Sequence, residues 1–234
     1  MAIVALIPAR GGSKRIPNKN IASCYRKPLL YWTASAAKGS RYIDRVLLST
    51  DSEEIADEGH RLGLEVPFLR PTSLAQSETP MVPVMQHALE WLLSNGCVVD
   101  AFVLLQPTQP LRESHHIDSA FEIFQKEEVE TVVSVTELPH IYHPEIVHKI
   151  NAGRLMSFLP GDIRSESPKA DKLYARNGPA ILINDPKVVQ RGEKFGDPVA
   201  PYIMSSESSI DIDEYIDLFL AECLLRRRYE KGTG

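Results

Sequence analysis

Ala2-Ile3-Val4-Ala5-Leu6-Ile7 runs without a polar residue into Pro8-Ala9-Arg10-Gly11-Gly12-Ser13-Lys14-Arg15-Ile16-Pro17-Asn18-Lys19-Asn20. A continuous apolar run closed by proline is the pattern of a strand covered on both faces. The loop after it carries Arg10, Lys14, Arg15 and Lys19 with no acid among them, and the first carboxylate of the chain is Asp44. Paired glycines let backbone N–H groups approach a polyphosphate while lysine and arginine supply charge and fixed donors. The other reading is a tight surface turn with solvated basic side chains. The loop is not a Walker motif, since Gly-x-x-x-x-Gly-Lys-Ser/Thr is absent, and Gly11-Gly12 lacks the third glycine of a dinucleotide fingerprint.

Outward from this loop, the chain alternates strand and helix patterns. Pro28 starts a predicted helix over Leu29 to Ala37 that stops at Gly39, and Arg45 to Ser49 reads as the next strand. Ser49-Thr50-Asp51-Ser52 caps a helix over Glu53 to Leu62, and a short third strand is expected at Glu65 to Leu69. A Pro/Ser/Thr/Gln-rich loop, Arg70 to Pro80, precedes a helix from Met81 to Ser94 with Val84, Met85, Ala88, Leu89 and Leu92 on one apolar face. Ala101 to Leu105 is another strand and delivers Gln106-Pro107-Thr108-Gln109-Pro110-Leu111-Arg112. Such spacing gives parallel βαβ units, and hence an α/β fold with a doubly wound, mostly parallel sheet. Ligands bind at the carboxyl ends of strands in such sheets, which places Arg10 to Asn20, Thr50-Asp51 and Gln106 to Arg112 on one edge.

After the strand Thr131 to Thr136 the rhythm changes. Residues 138–175 are rich in proline and glycine and read as an excursion from the sheet, with a partner subunit as one candidate for what it packs against. Strands are expected again at Ala180 to Ile183 and Val199 to Met204. A last helix runs to about Arg228, with Ile216, Phe219, Leu220, Cys223 and Leu224 as its buried stripe and Arg226, Arg227 and Arg228 complementing its dipole. The reading is one domain over residues 1–234.

The chain of 234 residues has a net charge of −5, which disfavours a nucleic-acid partner and suits a small anion in one local basic site. Three scattered cysteines suggest neither a disulfide framework nor a redox pair. The apolar start is too short to span a membrane and has no basic leader, so a soluble, cytoplasmic protein without a membrane partner is expected.

Asp211-Ile212-Asp213 puts two carboxylates on one side of an extended segment, a pair that can hold Mg²⁺ together with substrate phosphates. The plain alternative is that Asp213 only caps the last helix. Gln106, Thr108 and Arg112 could read a sugar or base, and Arg176 could pair with a carboxylate or phosphate. The seven histidines show no metal spacing, and His115-His116 reads as a solvated first helical turn.

Four stretches together, Ile7 to Asn20, Ser49-Thr50-Asp51-Ser52, Leu105 to Arg112 and Ser209-Ile210-Asp211-Ile212-Asp213, resemble the CMP-sialic acid synthetases, or acylneuraminate cytidylyltransferases, over nearly the whole chain. The resemblance implies a Rossmann-like nucleotidyltransferase that joins CTP to a nine-carbon 2-keto sugar acid and releases pyrophosphate. It implies nucleotide contacts from Arg10, Gly11, Gly12, Ser13, Lys19 and Asn20, with Arg10 and Lys19 on the phosphates. It further implies Mg²⁺ on Asp211 and Asp213, sugar contacts from Gln106 and Thr108, Arg176 near the sugar carboxylate, and a homodimer through residues 138–175. The sequence departs from the common pattern at Arg15, Gln109 and Asn177-Gly178-Pro179-Ala180, and legionaminic or pseudaminic acid enzymes share the loop and the Asp pair. A metal-dependent glycosyltransferase or a non-catalytic nucleotide-binding protein are the other readings.

Overall fold

The computed structural model describes residues 2–159 and 172–230. Its centre is a mixed sheet. Strand β1 is Ala2–Pro8; a two-residue hairpin follows, β2 Ser23–Cys24 and β3 Lys27–Pro28. Helix α1, Leu29–Lys38, leads to β4, Arg45–Ser49, and α2, Glu53–Arg61. Then come α3, Met81–Ser94, β5, Val99–Leu104, α4, Ser114–Lys126, and β6, Thr131–Glu137. The hairpin β7, His148–Asn151, and β8, Arg154–Ser157, stands off the main sheet. The remaining elements are β9, Tyr174–Arg176, β10, Leu182–Asn184, α5, Pro186–Gln190, β11, Val199–Met204, and α6, Tyr215–Glu230.

The strand order is β11-β6-β10-β5-β1-β4, with β9 also paired to β6. Strands β4, β1 and β5 are mutually parallel, and β11 is parallel to β6. In this sheet only β9 and β10 run antiparallel to their neighbours among the described residues. The expected mostly parallel α/β sheet is therefore present. From β1 the chain passes to β4 on one side and later to β5 on the other, so the loops after β1 and β5 flank the reversal point, where such sheets open a crevice.

Both sheet faces are covered, which is why β1 and β5 are apolar throughout their central residues. On one face Ala34, Ala37, Ile55, Ile117 and Phe121, from α1, α2 and α4, pack with Ile7, Leu48 and Val103. On the other Met85, Ala88, Leu89 and Leu92 of α3 pack with Leu6, Phe102 and Leu104. A third cluster lies beyond the carboxyl edge, where Ile16, Leu111 and Ile212 meet Leu29 and Trp32 of α1.

Four local expectations are corrected. Glu65 to Leu69 is no continuous strand: it makes two isolated parallel bridges, Leu47 with Glu65 and Thr50 with Leu69, with Pro67 unable to donate between them. On α6 the stripe reverses. Ala221 and Leu225 are buried, while Ile216 and Phe219 are 66% and 63% exposed and Leu220 and Cys223 also face out; only Leu224 of the expected set packs inward, half-buried. The α6 arginines do more than face solvent, since Arg227 pairs with Glu207 at 2.5 Å and Arg228 with Glu113 at 3.3 Å. His116 is buried rather than solvated, and its Nδ1 accepts the Glu113 N–H at 3.0 Å in a capping box at the start of α4. Of the excursion 138–175, residues 160–171 lie outside the described residues.

Candidate active site

The loop after β1 is held by its own sequence. Ile16 is 2% exposed and sits in the third hydrophobic cluster beside Ile212, so the cationic loop and the Asp211-Ile212-Asp213 segment share an apolar anchor. With Ile212 buried, its two neighbours turn the other way; both aspartates keep exposed surface, and the Asp211 carboxyl is partly enclosed against Thr108. Asn18 takes the left-handed conformation, φ 49°, before the single helical turn Lys19–Ile21. Asn20 is buried and donates from Nδ2 to the Arg10 carbonyl at 2.9 Å. The Gly11 N–H donates to Asp51 Oδ1 at 2.9 Å, and a side chain on Gly11 would press on Ser52.

Two adjoining depressions form one cleft at the carboxyl edge. The first is lined by Arg10, Ser13, Lys19, Asn20, Gln106 and Thr108, with Pro8, Met81 and Pro107 as its apolar lining. The second shares Arg10, Ser13 and Lys19 and adds Lys14, Arg15, Ser77 and Asp213. Lys19 joins the halves: its Nζ donates to the Ile212 carbonyl at 2.6 Å and lies 3.4 Å from Asp213 Oδ1. Arg15 Nη1 lies 3.2 Å from the other Asp213 oxygen. The Ile212 N–H donates to the Thr108 carbonyl at 2.8 Å, which fixes the aspartate segment to the loop after β5. Arg10 Nη1 donates to Ser77 Oγ at 3.2 Å.

Most of the residues expected from the sequence therefore meet here: Arg10, Ser13, Lys19, Asn20, Gln106, Thr108 and Asp213 line the cleft, and Asp211 adjoins it. Gly11 is changed in role, because its N–H is already engaged by Asp51 and the exposed Gly12 is the better placed of the pair to offer a donor. Arg112 is a correction. It is 2% exposed and turned into the core, donating from Nη1 to the Ala180 carbonyl at 2.7 Å and the Gln106 carbonyl at 3.2 Å, and from Nη2 to Thr33 Oγ1 at 2.5 Å. Burial pulls its pKa down to about 9. It braces the Gln106 loop from behind and does not line the cleft. Arg176 stacks over the Phe195 ring at 5.0 Å, near the carboxyl end of β6, and is likewise outside the cleft lining.

The sequence reading missed Arg70 and Ser77, and it placed Asp51 on the ligand edge without assigning it a role. Arg70 is 5% exposed, donates to the Ser49 carbonyl at 2.9 Å, and has its pKa lowered by burial, with Asp51 opposing and Arg10 adding to the shift. Asp51 thus senses Arg70 as well as accepting the Gly11 N–H. Arg70 and Ser77 carried no signal beyond their Pro/Ser/Thr/Gln-rich loop.

Asp211 and Asp213 offer hard oxygen donors. The Asp211 carboxyl is pushed up chiefly by burial, with the Thr108 hydroxyl opposing and the charge of Asp213 adding to the rise, so the two groups sense one another. Two carboxylates completed by phosphate oxygens are the set that Mg²⁺ takes. Glu113, His115 and His116 form the one three-ligand cluster among the described residues, contrary to the absence of metal spacing read from the sequence. It suits a cation poorly: burial, His115, Arg228 and Arg112 pull His116 down to about 4, and its Nδ1 and the Glu113 carboxylate already have partners.

A sequence profile described as Cytidylyltransferase matches residues 4–152. The chain is 34% identical over 236 residues to the CMP-N,N'-diacetyllegionaminic acid synthase of Legionella pneumophila, covering 98% of this chain and 99% of that protein. It is 33% identical over 227 residues to an N-acylneuraminate cytidylyltransferase of Escherichia coli, covering 97% of this chain but 52% of that protein, so it spans about half of that relative's length. A pseudaminic acid cytidylyltransferase of Campylobacter jejuni is 28% identical over 232 residues, covering 99% of this chain and 100% of the relative. Among solved structures, a CMP:2-keto-3-deoxy-manno-octonic acid synthetase complexed with CTP superposes with a TM-score of 0.71 at 14% identity, covering 97% of this chain and 100% of that one, a likeness of fold. Together with a cationic loop, an aspartate pair and a sugar-side loop converging on one cleft, these matches establish that the chain belongs to the cytidylyltransferase family.

Proposed function

We propose that the protein transfers CMP from CTP to the anomeric hydroxyl of a nine-carbon 2-keto sugar acid, releasing pyrophosphate. The observation that carries this reading is the Lys19 bridge, which ties a triphosphate-sized cationic loop to the aspartate segment across a single cleft. The relatives named for sialic, legionaminic and pseudaminic acids support the acceptor class without choosing within it.

In this reading Arg10, Lys19 and the N–H of Gly12 hold the β- and γ-phosphates, and Asn20 and Asp51 keep the loop in shape for them. Gln106 and Thr108 orient the sugar acid so that its anomeric oxygen faces the α-phosphorus. That oxygen forms the new P–O bond as the bond from the α-phosphorus to the bridging oxygen breaks. The electron pair leaves on pyrophosphate, where Arg10 and Lys19 balance the charge. Asp211 and Asp213 would hold Mg²⁺, which when bound would supply electrophilic charge at the α-phosphate and ease transfer of the hydroxyl proton to water. Arg176, which lies outside the cleft lining against Phe195, would have to swing from that ring to reach the sugar carboxylate.

The protein works as a homodimer in this reading, with residues 138–175 at the interface. Ile141, Ile150 and Leu155 of the excursion are 68%, 78% and 56% exposed, which favours a partner surface there. No helix of the described residues is long and apolar enough to cross a membrane, and a cytoplasmic location belongs to the same proposal.

The test is pyrophosphate release with Mg²⁺, CTP against the other nucleotides, over a panel of nine-carbon sugar acids. Turnover restricted to CTP with at least one such acid is expected. Activity with UTP and an aldose phosphate but none with CTP would overturn the proposal, and unchanged turnover in Asp213→Asn would remove the metal assignment.

A further inference from the structure

Each oxygen of the Asp213 carboxylate faces its own cation: Oδ1 lies 3.4 Å from Lys19 Nζ and Oδ2 lies 3.2 Å from Arg15 Nη1. A divalent ion arriving at Asp213 must therefore compete with two positive charges already in place. The two cations differ in freedom. The Lys19 side chain is 14% exposed and fixed by its 2.6 Å bond to the Ile212 carbonyl. The Arg15 side chain is 62% exposed, and Asp213 is the one partner it has among the described salt bridges. Ile16, directly after it, is 2% exposed and anchors the loop, while the Arg15 side chain stays exposed.

Arg15 also lines the same depression as Arg10, Ser13 and Lys19. A triphosphate entering there presents several negative charges and several oxygen pairs that a guanidinium can grip bidentately, against the single charge of one exposed carboxylate. We infer that Arg15 is a positioning residue that exchanges between Asp213 and the nucleotide phosphates, covering the metal carboxylate in the free protein and uncovering it when nucleotide binds. The inference rests on the reading of Asp213 as a metal ligand. Its consequence is that nucleotide and metal strengthen each other's binding, reciprocally, through one side chain. Arg15, a departure from the common family pattern, thereby orders metal capture behind nucleotide capture.

The probe is Mn²⁺ alone, its binding to the full chain followed by the electron paramagnetic resonance of the free ion. Arg15→Ala should bind Mn²⁺ about two- to fivefold more tightly than the wild type, the range an exposed ion pair supports. Arg15→Lys, which keeps the charge facing Asp213, should bind Mn²⁺ as the wild type does, and adding Asp213→Asn to Arg15→Ala should abolish the gain. With EDTA present, calorimetry should show CTP binding weakened by a similar factor in Arg15→Ala. Unchanged Mn²⁺ affinity in Arg15→Ala, a gain that survives Asp213→Asn, or unaltered CTP binding would each overturn the exchange. Mn²⁺ binding insensitive to both Asp211→Asn and Asp213→Asn in the wild-type background would instead overturn the metal site itself, a result readable without Arg15.

Discussion

Lys19 Nζ lies 2.6 Å from the main-chain oxygen of Ile212, a bond that closes 193 residues of sequence into one cleft. The ammonium so fixed sits between a carboxylate that would carry metal and a loop that would carry phosphates. Lys19→Met should lower kcat/KM for CTP by about 10²- to 10³-fold, the usual effect of removing one preorganised charge. Lys19→Arg should recover only part of this, because a guanidinium cannot repeat the short bond to Ile212 in the same space. A loss under about threefold in steady-state kinetics of Lys19→Met would show that the bridge is only structural.

Asp51 shapes the phosphate loop through its hydrogen bond from the Gly11 N–H and through its charge facing Arg70. Asp51→Asn keeps an acceptor oxygen and should raise KM for CTP by no more than about threefold, whereas Asp51→Ala loses the bond and should raise it by about tenfold or more. Equal KM values for the two variants would place the role of Asp51 in its charge alone.

Asp211 should reveal itself through opposite effects on stability and rate. Burial, more than any neighbour, raises its pKa, so the metal-free folded chain holds this proton more tightly than the unfolded chain does. Stability from this group is therefore present at low pH and falls as pH rises through the raised value, the reverse of an ion-paired carboxylate. At pH 7 in EDTA, Asp211→Asn should melt above the wild type while turnover with Mg²⁺ falls by about 10²-fold or more. A lower melting temperature would contradict the burial of a charged carboxyl.

His116 has the opposite sign. Burial pulls its pKa down to about 4, and its unprotonated Nδ1 accepts the Glu113 N–H. Between pH 6.5 and 4 the unfolded chain binds this proton and the folded chain does not, so stability is lost as pH falls, by on the order of 3 kcal/mol over the window. Denaturant melts should show this acid slope in the wild type and a shallower one in His116→Gln, whose midpoint at pH 7 is already lowered. Parallel slopes would show that other groups govern the acid limb.

The sequence was most legible where one physical demand acted alone. Arg45–Ser49, Met81–Ser94 and Val199–Met204 have the bounds expected from periodicity and caps, because apolar pattern and breakers agree there. It was least legible where two apolar sets competed: α6 offers Ile216, Phe219 and Leu220 on one side and Leu218, Ala221 and Leu225 on another, and only tertiary packing chooses between them. Glu65 to Leu69 is apolar enough for a strand, yet Pro67 breaks the ladder. In the site, charge and spacing identified Arg10, Lys19 and the Asp pair. They did not show that Arg112 points inward, because an arginine bonded to the Ala180 and Gln106 carbonyls looks, in sequence, the same as one that meets a ligand. Two departures from the family pattern also proved to be one feature. Gln109 Nε2 donates to the Asn177 carbonyl, and Gly178, at φ 116°, leaves no room for a side chain against that amide.

The central claim is tested most directly by following the phosphorus atoms. ³¹P NMR of the protein with Mg²⁺, CTP and a nine-carbon 2-keto sugar acid should show pyrophosphate and a new CMP phosphodiester appearing in equal amounts, with neither formed from UTP or without the acid. Release of inorganic phosphate and CDP, or a product built on a nucleotide other than CTP, would contradict the account.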